Sequence, residues 1–426
     1  MLDSLPSVAT QTQKGDLILV YDKSLDVQKS NFVHLDFAEE PCGFEASQGL
    51  GFLQVEFGDR IGPDGRYEIL RKLGWGMQSS IWLAKDTPND RFVAIKALTG
   101  FTTSQVKKGL VRELDMLRLL SSCKNGWRDT HCLFLLDDFI QPGRYESDGE
   151  HLCFVTDPFG PSLSAFMNAG YRFTKPLIKK ILLDILVGLD TLHSVGIVHT
   201  DLTSSNILVG LENDGHRFDI DSFIKAHPSE RHPPELTWGG RHVRVAKSQP
   251  FLSTWSAPSS VIADFGIAQF LTSKVTDNIS PPEQCAPETI LGLPWDEKVD
   301  IWAFGCMAFK LINRQKLFKT SVGDLPVELA VLYQILVFTE ERLPPETIRS
   351  SPTAMKYLDP ETGWVTAPLI PVDIDLYRII KEIGALKKPE DLDGATALMK
   401  KCLRINPKDR ASAKDLLQDP WLNSET

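Results

Sequence analysis

No apolar run in this 426-residue chain reaches the roughly 18 residues needed to cross a bilayer. The longest candidate, residues 181–189, is interrupted by the charge of Asp184. A secretory signal is not expected either, because residues 1–16 show no basic start followed by an apolar stretch. Cysteine is sparse: seven residues, scattered, odd in number and without a C-x-x-C pair. That pattern argues against a disulfide framework and for reduced thiols in an intracellular setting, cytoplasm or nucleus. Positive charge is in deficit as well. A net charge of −10 disfavours nucleic acid as a direct partner. It suits a basic substrate, although general solubility accounts for it more readily. No G-x-x-x-x-G-K-S/T segment occurs, which excludes a P-loop NTPase. Internal repeats and low-complexity tracts are missing too.

Its 426 residues are enough for two or three lobes with real cores, or a single large enzyme, and 42% hydrophobic residues is ordinary for a globular protein. Residues 1–65 show no sustained periodicity and read as an N-terminal extension. Short runs rich in β-branched, aromatic and aliphatic residues then predict strands over 67–73, 80–85 and 92–98, with Pro88-Asn89-Asp90 as a turn. A helix is predicted over 104–120 from Val106, Leu110 and Leu117 at helical spacing. A stronger one is predicted over 175–195. Thr174 is placed to cap it, Pro176 suits its first turn and Gly196 can end it; Leu177, Ile181, Ile185, Leu189 and Leu192 form its apolar stripe. Residues 211–260 change character, being rich in proline and carrying His216, His227, His232 and His242. They read as an inserted loop whose histidines are solvated, because no paired spacing supports a zinc site. The remainder reads as mainly helical.

Three segments carry chemistry. Gly74-Trp75-Gly76-Met77-Gln78-Ser79-Ser80-Ile81 lies between two predicted strands, so its glycines would sit at a hairpin tip where backbone amides can approach phosphate oxygens. Val93-Ala94-Ile95-Lys96 puts a lysine in an apolar strand, and an ammonium there needs a partner. Glu113 is the candidate: on the predicted 104–120 helix it shares a face with Val106, Leu110 and Leu117. The pair would place the ammonium on ATP phosphates. The third segment is His199-Thr200-Asp201-Leu202-Thr203-Ser204-Ser205-Asn206, with Asp264-Phe265-Gly266 further on. Ala286-Pro287-Glu288, then Asp300 through Gly305, then Asn406-Pro407-Lys408-Asp409-Arg410 follow in turn.

H-x-D-x-x-x-x-N followed by D-F-G, with the other elements in this order, resembles the protein kinases over residues 66–422. The resemblance implies an α+β, bilobal fold: a small antiparallel β-sheet N-lobe with one helix over 66–157, and a larger helical C-lobe over 158–422 bearing the 211–260 insert. It also implies a Ser/Thr kinase using ATP and Mg²⁺. Asp201 would orient the substrate hydroxyl and accept its proton, Asn206 and Asp264 would hold Mg²⁺, and Lys96, braced by Glu113, would hold the α/β-phosphates. Leu73, Gly74, Trp75, Gly76 and Ile81 would cover the nucleotide. Ala94, Asp157, Phe159 and Leu208 would complete its site, with Asp157–Phe159 as the hinge and Thr156 as gatekeeper. Glu288 and Arg410 would form a structural ion pair, while His199, Phe265 and Asp300 would organise the core. His-Thr-Asp, Ser248-Gln249-Pro250-Phe251, Gly363-Trp364 and the closing segment 416–422 are most similar to serine/arginine-rich-protein-specific kinases, in a divergent branch expanded in fungi. A protein substrate, with basic or Arg/Ser-rich segments as the candidate class, follows.

Three departures bear on activity. Thr200 replaces the arginine that commonly pairs with an activation-loop phosphate, so activity without that phosphorylation is expected, with Thr272, Ser273, Thr276 and Ser280 as ordinary loop hydroxyls. Thr203 replaces a lysine that contacts the transferring phosphate, and Ser79 replaces the third glycine of G-x-G-x-x-G. These two keep a nucleotide-binding pseudokinase or scaffold as the alternative.

Overall fold

A computed structural model describes residues 10–11, 17–18, 34–35, 39–123, 126–213, 216–236, 242–251, 259–366, 376–383 and 386–424. The described residues within 1–111, 135–160 and 216–254 form one compact unit; those within 112–134, 161–215 and 255–426 form another. No helix among them is long and apolar enough to cross a membrane.

The first unit is built on a six-stranded antiparallel sheet. Its strands are β1 (Arg60–Ile61), β2 (Tyr67–Gly76), β3 (Ser79–Asp86), β4 (Arg91–Leu98), β5 (Leu135–Pro142) and β6 (Glu150–Thr156), in the order β1-β2-β3-β4-β6-β5. The three predicted strands are thus present, each slightly longer than expected. Period-two alternation sends Val93, Ile95 and Ala97 of β4 to one face, where they pack with Tyr67, Ile69, Trp82, Ala84 and Val155. Ala94 and Lys96 therefore point to the other face.

Two stretches read as peripheral in the sequence are part of this unit. Leu53, Val55 and Ile61 from the extension enter the core of the sheet, and Arg60–Ile61 pairs with β2. Ala246 from the insert joins the same core, while Val243 and Val245 pack with Phe52 and Trp75. The insert also forms a short helix, Ile220–Ala226, so it is not simply a loop. Its apolar residues lie in extended segments between turns and leave no helical or strand period to detect. His227 stacks on Phe223 and His232 lies 3.8 Å from Glu39; the side chain of His216 falls outside the described residues.

The single helix expected over 104–120 is two: α1 (Gly100–Lys107) and α2 (Glu113–Cys123). The chain breaks at Gly109, whose φ of +74° is left-handed. Val106 and Leu110 consequently do not continue the face that holds Glu113. Leu110 is exposed, whereas Glu113, Met116, Leu117 and Leu120 are buried at the i, i+3, i+4, i+7 positions of α2.

In the second unit α3 (Lys175–Ser194) matches its prediction closely. Pro176 is in its first turn and Gly196 follows its end at φ +72°, but the Thr174 side chain makes no capping bond. Gly188 in this helix is fixed by packing, since a Cβ there would lie 2.6 Å from Ile262 Cδ1 and 2.9 Å from His131 O. Strands β7 (Ile197–Val198) and β8 (Ile207–Gly210) bracket the 199–206 loop. They pair antiparallel with β10 (Gln269–Phe270) and β9 (Ser260–Ile262) respectively. Beneath lies α4 (Lys298–Asn313), buried on almost every side.

Candidate active site

The first unit presents one set of predicted residues on the sheet face opposite its core. Ile81 is the direct cross-strand partner of both Gly74 and Lys96, and Ala94 is the partner of Leu83 and Thr156. Direct partners share a face, so Gly74, Ile81, Ala94 and Lys96 stand together. Leu73 lies at an irregularity between Lys72 and Gly74. A Cβ at Gly74 or Gly76 would meet no heavy atom within 4 Å, so the space over both glycines admits a phosphate. Trp75 turns the other way and packs edge-on to Phe52 at 6.3 Å; only its backbone belongs with the glycines. Ser80 is a packing residue, accepting a bond from Trp82 Nε1 at 2.9 Å. At the end of β6 the Thr156 hydroxyl donates to Asp157 O at 3.0 Å, and Phe159 is buried. A cavity of about 500 Å³ lies on the core side, beside Trp82, Leu53 and Ala246, and so is separate from this face.

The second unit presents the other set, held by a dense frame. Asp300, buried near the start of α4, accepts three bonds: from His199 N (2.8 Å), Thr200 N (2.9 Å) and His193 Nε2 (3.0 Å). Those bonds hold Thr200 at φ +64°, a strained setting for a β-branched residue. The Thr200 hydroxyl donates to Ile267 O at 2.8 Å, and Ser280 Oγ donates to Thr200 O at 2.6 Å. His199 is buried beside Phe265, with ring centres 5.4 Å apart. Its Nε2 bonds Ala263 O (3.1 Å) and must carry the proton, which leaves Nδ1 to accept from Asp201 N at 3.3 Å.

Asp201 emerges from that frame with its carboxylate bonded by Asn206 Nδ2 at 2.8 Å; the same nitrogen donates to Asp201 O at 2.9 Å. Burial pushes the Asp201 carboxyl above its ordinary value. His199 and the Asn206 bond pull it back, while the charges of Asp264 and Glu283 push it further up. An aspartate so placed is a proton acceptor poised closer to neutrality than a surface carboxylate. With both amide hydrogens of Asn206 directed at Asp201, its Oδ1 is left as an oxygen ligand. Asp264 is exposed at φ +65°, on the rigid base of buried Phe265. One amide oxygen and one carboxylate suit Mg²⁺, which takes few protein ligands and completes its shell with phosphate and water. Among the described residues no cluster of three or more His, Cys, Asp or Glu forms a dedicated metal cage. Leu208 lies in β8, paired with Val261.

Several positioning groups escaped the sequence reading. Ser280 is no ordinary loop hydroxyl, because it ties the 276–280 segment to the Thr200 carbonyl. Gln269 accepts from Val275 N (2.7 Å) and Thr276 N (3.2 Å) and donates to Thr276 O (2.8 Å). Ser273 accepts from Arg112 Nη1 at 2.8 Å, and Asp277 accepts from Trp295 Nε1 at 2.8 Å. Side-chain bonds to backbone leave no pattern in a sequence. The predicted Glu288–Arg410 pair is present and bidentate, with both contacts at 2.6 Å.

Compared with known proteins, the chain matches the protein kinase domain family over residues 67–225 and 247–422. It is 28% identical over 407 residues to the serine/threonine-protein kinase SRPK of Physarum polycephalum, covering 91% of this chain and 92% of that one. It is 30% identical over 408 residues to a serine/threonine protein kinase of Aspergillus fumigatus, with 92% and 93% covered. A crystal structure of a kinase domain superposes with a TM-score of 0.61 at 20% identity, covering 88% of this chain and 99% of that one, a likeness of fold.

Proposed function

The chain belongs to the protein kinase family, as a serine/threonine protein kinase of bilobal fold, and on that premise we propose that it transfers the γ-phosphate of Mg-ATP to serine or threonine hydroxyls of a protein substrate. The observation that carries this reading is the Asp201 carboxylate. It is raised above its ordinary pKa, aimed by Asn206 and rooted through Thr200 and His199 in Asp300.

Asp201 would orient the acceptor hydroxyl and take its proton as the oxygen bonds to the γ-phosphorus. The bond to the β,γ-bridging oxygen then breaks and ADP leaves. Lys96 would pair with the α/β-phosphates, Glu113 would brace it, and the Gly74 and Gly76 backbone would cover them. Asp157 and Phe159, with Leu73, Ile81, Ala94 and Leu208, would enclose the base and ribose. Asn206 Oδ1 and Asp264 would hold Mg²⁺, which neutralises phosphate charge when bound. Thr203 offers no cation to the transferring group, a deficit worth on the order of 10²–10³ in rate. The proton acceptor and the oxygen ligands remain, which supports turnover over a pure scaffold.

Purified protein with labelled Mg-ATP and an Arg/Ser-repeat or mixed Ser/Thr peptide pool tests the reading. Label should enter hydroxyl residues and disappear with Asp201→Asn. Equal label in that variant would overturn it.

A further inference from the structure

Lys310 is the one charged residue of α4 after Asp300, and it comes where the helix passes under the catalytic loop. Its ammonium donates to Ser204 Oγ at 2.8 Å, and Ser204 is fully buried between Thr203 and Ser205. Among the described residues no carboxylate forms an ion pair with it. Burial lowers its pKa and the neighbouring charge of Lys316 lowers it further, while the charge of Glu283 pulls it back. The amine is therefore a desolvated cation that shares its counter-charge, Glu283, with Lys316.

The space beside it is a cavity of about 240 Å³ lined by Thr203, Ser205, Glu283, Lys310 and Lys316. Glu283 is engaged with Lys316 at 2.5 Å. Two ammonium groups against one carboxylate leave the cavity with a positive surplus. It adjoins the reacting position: Thr203 and Ser205, which line it, lie two and four residues after Asp201, and Thr203 N donates to Asp201 O at 2.8 Å. A substrate chain that delivers a hydroxyl to Asp201 must carry its flanking residues past this opening. A guanidinium entering it would meet Lys310, whereas a carboxylate or phosphate would supply a second counter-charge.

We propose that this cavity is a specificity subsite that takes an anionic side chain, Asp, Glu or phosphoserine, beside the acceptor residue, and that Lys310 disfavours arginine there. The proposal rests on the reading of the chain as a kinase of protein substrates. It narrows the basic or Arg/Ser-rich expectation: any arginine preference must be exerted at other positions.

Full-length protein should be titrated with fluorescent peptides carrying one serine acceptor and, at each flanking position in turn, Ala, Glu, phosphoserine or Arg. Anisotropy gives binding, and labelled ATP gives kcat/KM. At one flanking position Glu or phosphoserine should bind about tenfold more tightly than Arg, the yield of one charge-assisted contact. Gain with phosphoserine alone would assign the subsite to a phosphate, and gain with both to any anion. Lys310→Glu should invert the order. Lys310→Met, a milder change should the first variant unfold, should level it. Arginine peptides binding as well as anionic ones at every position, or an order that both variants leave intact, would overturn the proposal. Binding reports on the subsite whether or not label is transferred, so absence of label would count against the kinase reading alone.

Discussion

Arg410 in the second unit and Lys72 in the first are both fully buried cations, and they are held in different ways. Arg410 spends its planar fork on two parallel bonds to Glu288 and gives further bonds to the carbonyls of Arg404, Lys298 and Ile405. Charge is balanced one to one and every direction of the guanidinium is used. Lys72 is a point charge between two carboxylates: Glu39 at 2.8 Å, and Glu40 in contact on its other side. It also donates to Ala246 O at 3.3 Å, while Glu39 accepts Ser248 N (2.5 Å) and Ser248 Oγ (2.6 Å). The guanidinium site joins two short motifs. The ammonium site gathers the extension, the middle of β2 and the insert, segments far apart in the chain, and its charge is left negative. Geometry that a residue type dictates can be read in a sequence. Geometry assembled by a spherical charge from scattered segments cannot.

Removing each cation tests that contrast. Arg410→Leu strands the buried Glu288 and should cost about 3–5 kcal/mol in urea unfolding, with most recovered when Glu288→Leu is added. A loss under 1 kcal/mol would mean the site is hydrated. Lys72→Met should cost about 3 kcal/mol, the low end of the same range, because Glu39 keeps its Ser248 bonds. Its signature should be local. Hydrogen exchange should rise over residues 39–55 and 243–251 before the second unit opens. Uniform opening would show that the cluster does not act as a separate clamp.

The Asp201 carboxylate, the proposed base, is a third ionic centre. Since Asp201 is raised, the acid limb of kcat/KM should lie above the roughly 3.9 of an ordinary aspartate, activity falling as the base takes up a proton. Glu283 contributes to that rise, so Glu283→Gln should slide the limb to lower pH; an unmoved or upward-shifted limb would contradict it. The smallest effect expected is none. The 269–280 segment is anchored by neutral bonds from Gln269 and Ser280 together with Arg112 and Trp295, so phosphatase treatment should leave turnover unchanged. A large loss would show that a phosphate does what these bonds are credited with.

Most of the proposed site was legible because it is local. His199 to Asn206 is one loop between two short strands, and alternation on β4 marked Lys96 as the polar residue of an apolar strand. The α3 helix announced itself by period, proline and glycine. The break at Gly109 was missed because a single glycine does not outweigh an apparent apolar period on both sides of it. Residues 39–61 and 243–251 were missed because their buried side chains sit on irregular backbone. Lys310 had a signal, a lone charge in a long apolar helix, whose meaning depends on Ser204 being above it.

The Lys72 clamp also sets a schedule for synthesis. Its acceptor at Ala246 is 174 residues further along the chain, a wait of about 9–35 s at 5–20 residues per second. Until then the first six strands leave the ribosome with the lysine midway along β2 unsealed and the cover for Leu53 and Trp82 still unmade. Nascent chains arrested before Val243 should leave Lys72 open to amine-reactive reagents, and chains extended well past Phe251 should protect it. The sheet is translated early and completed late, so the newborn protein depends on remaining soluble with its founding layer unsealed.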